Sequence, residues 1–267
     1  MNYMSSEIEL ISTDFDGTLF ASFENPPVPP LLMELIARLQ ARGAKWVINT
    51  GRNYCELMET LGRVRLPIDP DYFVVVEREI YVRKGRDYVP HKSWNQACTR
   101  AHAELFATIR PDLPRLADWV HEHFSVAIYA DSYSPFCFIA KDLPDADRIQ
   151  EYVDDYCKTV PHLTLMRNSV YARLSHDAYN KGSSMAEVAS LHGIPRERIF
   201  AVGDHLNDLH MLAREYAGCV AAPDNAVEPV KEFIRQQGGY LSPFSHGHGV
   251  ADALEHFLKL DPQTQPS

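Results

Sequence analysis

The sequence predicts an α/β protein, a parallel-sheet core interrupted by an inserted α+β domain. Three observations carry this reading. Strand-length apolar stretches alternate with helical patterns at the start of the chain, the alternation returns after about Asn180, and the stretch between them reads as hairpins. Strand–helix–strand units imply parallel strands joined by right-handed crossovers, whereas hairpins imply antiparallel pairing.

Element by element, Glu7 to Ser12 is an apolar strand. Leu31, Leu32, Leu35, Ile36 and Leu39 recur at helical spacing, so a helix is expected over Leu31 to Arg42, closed by Gly43. Lys45 to Asn49 is the next strand, and Thr50-Gly51-Arg52 turns into another helix. From Tyr72, "YFVVVEREIYVRKGRDYVP" reads as a strand followed by a hairpin. Helices follow over Asn95 to Ile109 and Pro114 to His123, then a hairpin in "SVAIYADSYSPFCFIAKD", a helix over Asp145 to Lys158, and two strands in "LTLMRNSVYARLS". The alternation resumes with a helix over Lys181 to His192, a strand and turn in "RIFAVGDHLND" and a short helix from Leu209 to Arg214. A strand in "AGCVAAPDNAV" and helices over Glu228 to Gln237 and Gly249 to Leu260 complete it.

Composition bounds the function. The 267 residues are 45% hydrophobic and 23% charged, enough to bury a substantial core. A formal net charge of -10 argues against a nucleic-acid partner, although a local field can still attract a phosphate. The five cysteines are scattered and show no CxxC spacing, so thiols in a reducing compartment are expected rather than a disulfide or zinc framework. No apolar run reaches membrane-spanning length, and Met1 to Glu9 lacks a signal-peptide core, so a cytoplasmic protein without a membrane partner is expected.

Four stretches carry chemistry, each at a strand end or a helix start, the edge where parallel sheets bind ligands. In "STDFDGTLF", Asp14 and Asp16 repel one another unless a cation or a proton intervenes, although Asp-Gly alone is also an ordinary turn. In Ile48-Asn49-Thr50-Gly51-Arg52, a hydroxyl, an open backbone and a guanidinium suit phosphate oxygens, while Thr50 alone could be a helix cap. In Asn180-Lys181-Gly182, the lysine opens a helix where the dipole disfavours a cation, which favours a partner anion, while a solvated surface lysine is the ordinary case. In Val202-Gly203-Asp204-His205-Leu206-Asn207-Asp208, two acids follow a strand and suit Mg2+, while Asp208 could simply cap the next turn. All four in this order outweigh the ordinary reading of each.

In these four stretches the chain resembles the haloacid dehalogenase (HAD) superfamily, motif for motif. The long insertion between the second and third motifs resembles the type-IIB, Cof-like branch with its C2 cap, as does "APDNAVEPVKE" near the end. The resemblance covers roughly residues 7 to 80 and 176 to 260. It implies a Rossmann-like core over 1–82 and 176–267, a cap over 83–175 that sets specificity, and a phosphoric monoester hydrolase. Asp14 would be the nucleophile that forms an aspartyl phosphate, and Asp16 the acid and later the base. Thr50 and Lys181 would complete the catalytic set, with Thr50, Gly51, Arg52, Lys181 and Asn207 around the phosphoryl group. Mg2+ would bind Asp14, the Asp16 carbonyl and Asp204, with Asp208 in support directly or through water. Asp14 would be held ionised by Mg2+ and Lys181, and Asp16 protonated by its acidic neighbours.

The expected activity is Mg2+-dependent hydrolysis of a small phosphate ester, a sugar or polyol phosphate. A phosphomutase or phosphotransferase of the same chemistry, and a non-catalytic phosphometabolite sensor, are the rivals; an intact Asp16 counts against the sensor. Val76-Glu77-Arg78-Glu79-Ile80 departs from the Asn-Gly-Ala that Cof-like chains carry there. The two histidines of "SHGHG" read as a loop rather than a metal site, His205 is expected to face outward, and Tyr129, Tyr133 and Phe136 on the cap hairpin are substrate contacts, core packing or an exposed hairpin tip.

Overall fold

A computed structural model describes residues 8–259. The first stretch folds as β1 (Leu10–Thr13), α1 (Pro30–Ala41), β2 (Lys45–Asn49), α2 (Tyr54–Val64), β3 (Tyr72–Val75), β4 (Glu79–Lys84) and β5 (Asp87–Pro90). The middle stretch gives α3 (Lys92–Ile109), α4 (Leu113–His123), β6 (Val126–Tyr129), β7 (Cys137–Ala140), α5 (Leu143–Cys157), β8 (Leu163–Asn168) and β9 (Tyr171–His176). The last gives α6 (Lys181–His192), β10 (Ile199–Val202), β11 (Cys219–Ala222), α7 (Glu228–Gln236), β12 (Tyr240–Leu241) and α8 (His246–Lys259).

The chain divides into two compact units, one running to His91 and resuming at Lys181, the other spanning Lys92–Asn180. The first holds an eight-stranded sheet in the order β12-β11-β10-β1-β2-β3-β4-β5. Pairing is parallel from β12 to β3 and antiparallel across β4 and β5. All four residues of β1 are buried, as a strand covered on both faces requires. Thr13 is in register with Val202 on one side and Ile48 on the other, so the next residues of three strands emerge side by side. From β1 the chain builds outward through β2 and β3, and later returns to build the other way through β10 and β11. The carboxyl ends of β1 and β10 are therefore the point where strand order reverses, the natural ligand crevice of such a sheet.

The second unit holds a four-stranded antiparallel sheet in the order β6-β7-β9-β8. Phe136, Phe138, Ile149, Val153, Leu116 and Val120 are buried in one core there. Phe136 is thus a packing residue, not an exposed hairpin tip.

The expected boundaries lie at 82/83 and 175/176; the compact units part at 91/92 and 180/181. β4 pairs with β3 and β5 with β4, so this hairpin extends the first sheet instead of starting the insertion. Hairpin character alone does not reveal which sheet a hairpin joins. The helix expected over Leu209 to Arg214 is a series of turns after a 3-10 turn at Leu206–Asp208. Its hydrogen bonds mix three- and four-residue spacings (Leu209 to Leu206, Leu212 to Asp208, Ala213 to His210), so no regular helix propagates. Thr50 is not a helix cap: Asn53 caps α2 in a capping box with Glu56. Among the described residues, no helix is long and apolar enough to cross a membrane.

Because residues 92–180 have a core of their own, that stretch expressed alone is expected to melt cooperatively by circular dichroism. Phe138→Ala within it should cost about 3–5 kcal/mol. A featureless melt of the unsubstituted fragment would count against an independent core.

Candidate active site

The sheet fixes the first acid. The Asp14 N–H donates to the Val202 carbonyl at 3.0 Å, carrying the β1–β10 ladder one residue past the strands. The chain then turns at Gly17, whose φ is +77°, and a Cβ there would lie 2.6 Å from Asp204 Oδ2. Glycine is what lets the loops after β1 and β10 touch. Thr18 Oγ1 completes that contact, donating to Asp204 Oδ1 at 2.8 Å. Gly203 has the same use on the other loop, since a Cβ would meet Asp208 Cγ at 2.5 Å. Asp208 can therefore fold back, and its Oδ2 accepts the N–H groups of Asp204 at 2.9 Å and His205 at 3.0 Å.

Lys181 begins α6, and Asn49 Nδ2 at the end of β2 holds its carbonyl at 2.9 Å. The ammonium is wholly buried, 2.5 Å from Asp14 Oδ1 and 2.6 Å from Asp208 Oδ1. The helix dipole gives this lysine nothing at its position; the two carboxylates do. Burial opposes its charge, yet Asp14 and Asp208 hold its pKa well above the ordinary lysine value.

One ammonium does not balance this cluster. Burial, then repulsion from Asp208, pushes the Asp14 carboxyl well above the carboxylate range, against the pull of Lys181. Burial, then Asp208, pushes Asp204 from 3.8 up to about 6. Asp14, Asp204 and Asp208 each offer a carboxylate oxygen within 4.8 Å of the others. Both Asp208 oxygens are already engaged, one by Lys181 and one by two N–H groups. Asp14 and Asp204 are less taken up: Asp204 Oδ1 accepts from Thr18, but Asn225 Nδ2 reaches its Oδ2 only at 3.4 Å. Two hard carboxylate donors with excess negative charge fit Mg2+, which takes few protein ligands and keeps waters.

The Asp16 side chain is not in that cluster. It is 45% exposed, and Arg52 grips it with Nε–Oδ2 and Nη2–Oδ1 contacts of 2.6 Å each. The expectation that acidic neighbours surround Asp16 is therefore corrected: it is Asp14 that the other acids crowd, while a guanidinium faces Asp16. Arg52, expected beside a phosphate, is committed to Asp16 and to Thr60 Oγ1 at 2.5 Å. Thr50 is buried, with Oγ1 accepting the Arg52 N–H at 3.1 Å. A Cβ on Gly51 would lie 3.4 Å from Glu77 Oε1 and 3.9 Å from Asn207 Nδ2, so Gly51 and Asn207 do come together.

A model of haloacid dehalogenase-like hydrolases matches residues 11–76 and 120–254, three quarters of the chain. The chain belongs to this family. A relative, the 5-amino-6-(5-phospho-D-ribitylamino)uracil phosphatase YitU of Bacillus subtilis, is 29% identical over 117 residues. That match covers 43% of this chain and 41% of the relative, so it spans less than half of that protein. Among solved structures, the sucrose-phosphatase of Synechocystis sp. PCC6803, in complex with sucrose and phosphate, superposes with a TM-score of 0.71 at 19% identity. It covers 94% of this chain and 98% of that one. A HAD subclass IIB sugar phosphatase gives 0.61 at 17% identity over 93% and 98% of the two chains. At such identities these structures establish the fold alone.

Within this HAD-like hydrolase, sequence reasoning missed three neighbours of the site. Asn225 Nδ2 donates to the Gly17 carbonyl at 2.7 Å, and its Oδ1 accepts the His246 N–H at 2.7 Å. His246 Nδ1–H donates to the same carbonyl at 2.9 Å. The "APDNAV" and "SHGHG" stretches thus brace the turn between the two acid loops, and a histidine read as part of an ordinary loop is a strut. Glu77 accepts from Asn207 Nδ2 at 2.9 Å, in a turn where Val76 and Glu77 both have positive φ, 46° and 67°. Two such residues without a glycine are an outlier that no periodicity signals.

The acid cluster generates a stability prediction. An acid whose folded pKa lies above its unfolded value costs stability as pH rises through that interval, here from about 4 through about 6 for Asp204. The displacement is worth up to about 3 kcal/mol. In chelator at about pH 8, Asp204→Asn is therefore expected to melt higher than wild type. Mg2+ should raise the wild-type melting temperature more at about pH 8 than at about pH 5, and leave Asp204→Asn nearly unshifted. Equal Mg2+ shifts at both pH values in differential scanning fluorimetry would contradict the acid-cluster account.

Proposed function

We propose that this chain is a Mg2+-dependent phosphatase that hydrolyses a small phosphorylated metabolite, a sugar or polyol phosphate, through an aspartyl-phosphate intermediate. The observation that carries the reading is the buried ammonium of Lys181 clamped between Asp14 and Asp208, with Asp204 within reach. Such a cluster is costly to fold and has the charge pattern a phosphoryl group and its metal require. Two of the similar proteins, a 5-amino-6-(5-phospho-D-ribitylamino)uracil phosphatase and a sucrose-phosphatase, support the substrate class. A cytoplasmic enzyme without a nucleic-acid or membrane partner is part of the same reading.

Asp14 attacks phosphorus through a carboxylate oxygen. The bond to the leaving oxygen breaks, and the Asp16 carboxylic acid gives that oxygen its proton. Water then attacks the aspartyl phosphate, Asp16 takes the proton from the water, and Asp14 departs as a carboxylate. Lys181 holds Asp14 in line, Thr50, Gly51 and Asn207 receive the phosphoryl oxygens, and Arg52 fixes the orientation of Asp16. Asp14, the Asp16 carbonyl and Asp204 would hold Mg2+, which supplies charge compensation to the phosphoryl group. Asp208 acts through Lys181 and the loop it ties.

Phosphate release from a panel of sugar and polyol phosphates, with Mg2+ or with chelator, tests the proposal. Mg2+-dependent turnover that Asp14→Asn abolishes is expected; binding without turnover would favour the sensor. Asp16→Asn should slow phosphoenzyme formation ~10²–10⁴-fold for a sugar ester and far less for nitrophenyl phosphate, whose leaving group needs no proton. Rapid quench isolates that step, and equal losses for both esters would exclude Asp16 as the acid. Arg52→Lys, which keeps a charge but loses the fork, should show the same leaving-group bias at smaller size.

A further inference from the structure

The second unit contains a group of side chains that the proposed chemistry does not use. β8 and β9 pair antiparallel with Leu163 opposite His176, and the Asp177 N–H donates to the His162 carbonyl at 2.9 Å, extending the ladder by one step. This brings His162, His176 and Asp177 together at the end of the hairpin. Asp177 Oδ1 lies 3.1 Å from His162 Nδ1 and 3.3 Å from His176 Nδ1, and the two imidazole centroids are 5.0 Å apart. We propose that His162, His176 and Asp177 form a binding site for a zinc ion or a divalent ion of similar softness.

Three features carry the proposal. The first is spacing. With zinc–ligand bonds of about 2.0–2.1 Å, adjacent ligand atoms of a tetrahedral site lie about 3.3 Å apart, and both nitrogen–oxygen distances match that edge. The second is donor polarity. His176 Nδ1 offers a single lone pair, met by the Ala178 N–H at a long 3.2 Å and faced by Asp177 Oδ1 at 3.3 Å; an ion bound beside Asp177 would take that lone pair over from the N–H. The third is support. The His176 N–H donates to His102 Nε2 at 3.2 Å, and His102 Nδ1–H donates to the Cys98 carbonyl at 2.8 Å, which pins the end of β9 from behind. His162 itself has a φ of +66°, a conformation few non-glycine residues adopt.

The donor set selects the ion. Two imidazoles and one carboxylate leave a fourth position for water and suit zinc, whereas Mg2+ prefers oxygen donors. The ordinary alternative is a surface ion pair between a protonated histidine and Asp177, which holds no metal.

Zinc titration of the Mg2+-saturated protein by isothermal calorimetry separates the two. Wild type is expected to bind one more equivalent of zinc than either His162→Ala or Asp177→Asn. His162 is exposed and Asp177→Asn is nearly isosteric, so both variants should keep the wild-type melting temperature and its Mg2+ shift. Cobalt should give wild type an intense tetrahedral visible band that both variants lose. Equal zinc stoichiometry in all three proteins, or zinc binding that excess Mg2+ displaces, would overturn the proposal. Neither result depends on whether the chain hydrolyses phosphate esters.

Discussion

The core depends on one buried ammonium. Lys181 has no solvent access, and its charge is stabilised there by Asp14 and Asp208. Removing one partner from such a group leaves an uncompensated buried charge, at a cost of about 3–5 kcal/mol. The three residues come from the ends of β1 and β10 and the start of α6, so the ion cluster ties together segments that are 167 and 27 residues apart in sequence. The tie is not self-sufficient. Asp204 adds a third carboxylate, and both Asp14 and Asp204 are pushed upward by burial and mutual repulsion. A cluster built this way is paid for elsewhere in the fold. The continuous burial of β1 and the parallel ladders on either side of it supply the compensating stability.

The second consequence is a separation of two chemically identical side chains. One residue separates Asp14 from Asp16, so a continued strand would put both on one face; the turn at Gly17, where φ is +77°, sends them to different surroundings instead. Asp14 lies among acids and an ammonium in the interior, while Asp16 is half open to solvent in the fork of Arg52. Proposed roles that differ as much as nucleophile and proton carrier need such a difference. The arrangement reverses the sequence expectation for its cause: the acids bear on Asp14, and a cation bears on Asp16.

What the sequence revealed and what it concealed follow from the range of each interaction. The order of strands and helices, and the four motifs, were legible because apolar periodicity and strand-end acids are local signals. Lys181 was legible because a lysine at a helix start is locally unfavourable and demands a partner. The allegiance of the β4–β5 hairpin was not, because pairing partners are chosen by the sheet and not by the strand. Asn225 and His246 were not, because each acts on the Gly17 carbonyl more than 200 residues away, through a bond with no sequence signature. The expected helix after Asp208 is replaced by single turns with mixed hydrogen-bond spacing, a difference set by the loop rather than by apolar periodicity.

The turn between β3 and β4 shows how strain is held at the edge of the site. Val76 and Glu77 both sit in the left-handed region, where a β-branched residue is especially disfavoured, at about 1–3 kcal/mol each. The chain that resembles Cof-like proteins elsewhere carries neither the asparagine nor the glycine that would relieve this. The strain persists because the turn is bonded on both sides: the Val76 N–H donates to the Arg52 carbonyl at 2.8 Å and the Glu77 N–H to the Thr50 carbonyl at 2.9 Å. The second motif and this turn are therefore one mechanical piece. Its effect is to bring a buried carboxylate to Asn207 and to the open side of Gly51. A residue held in an unfavourable conformation by two backbone bonds, and used to fix the amide of a proposed phosphate-binding asparagine, ties the strain to the site rather than to the stability of the sheet.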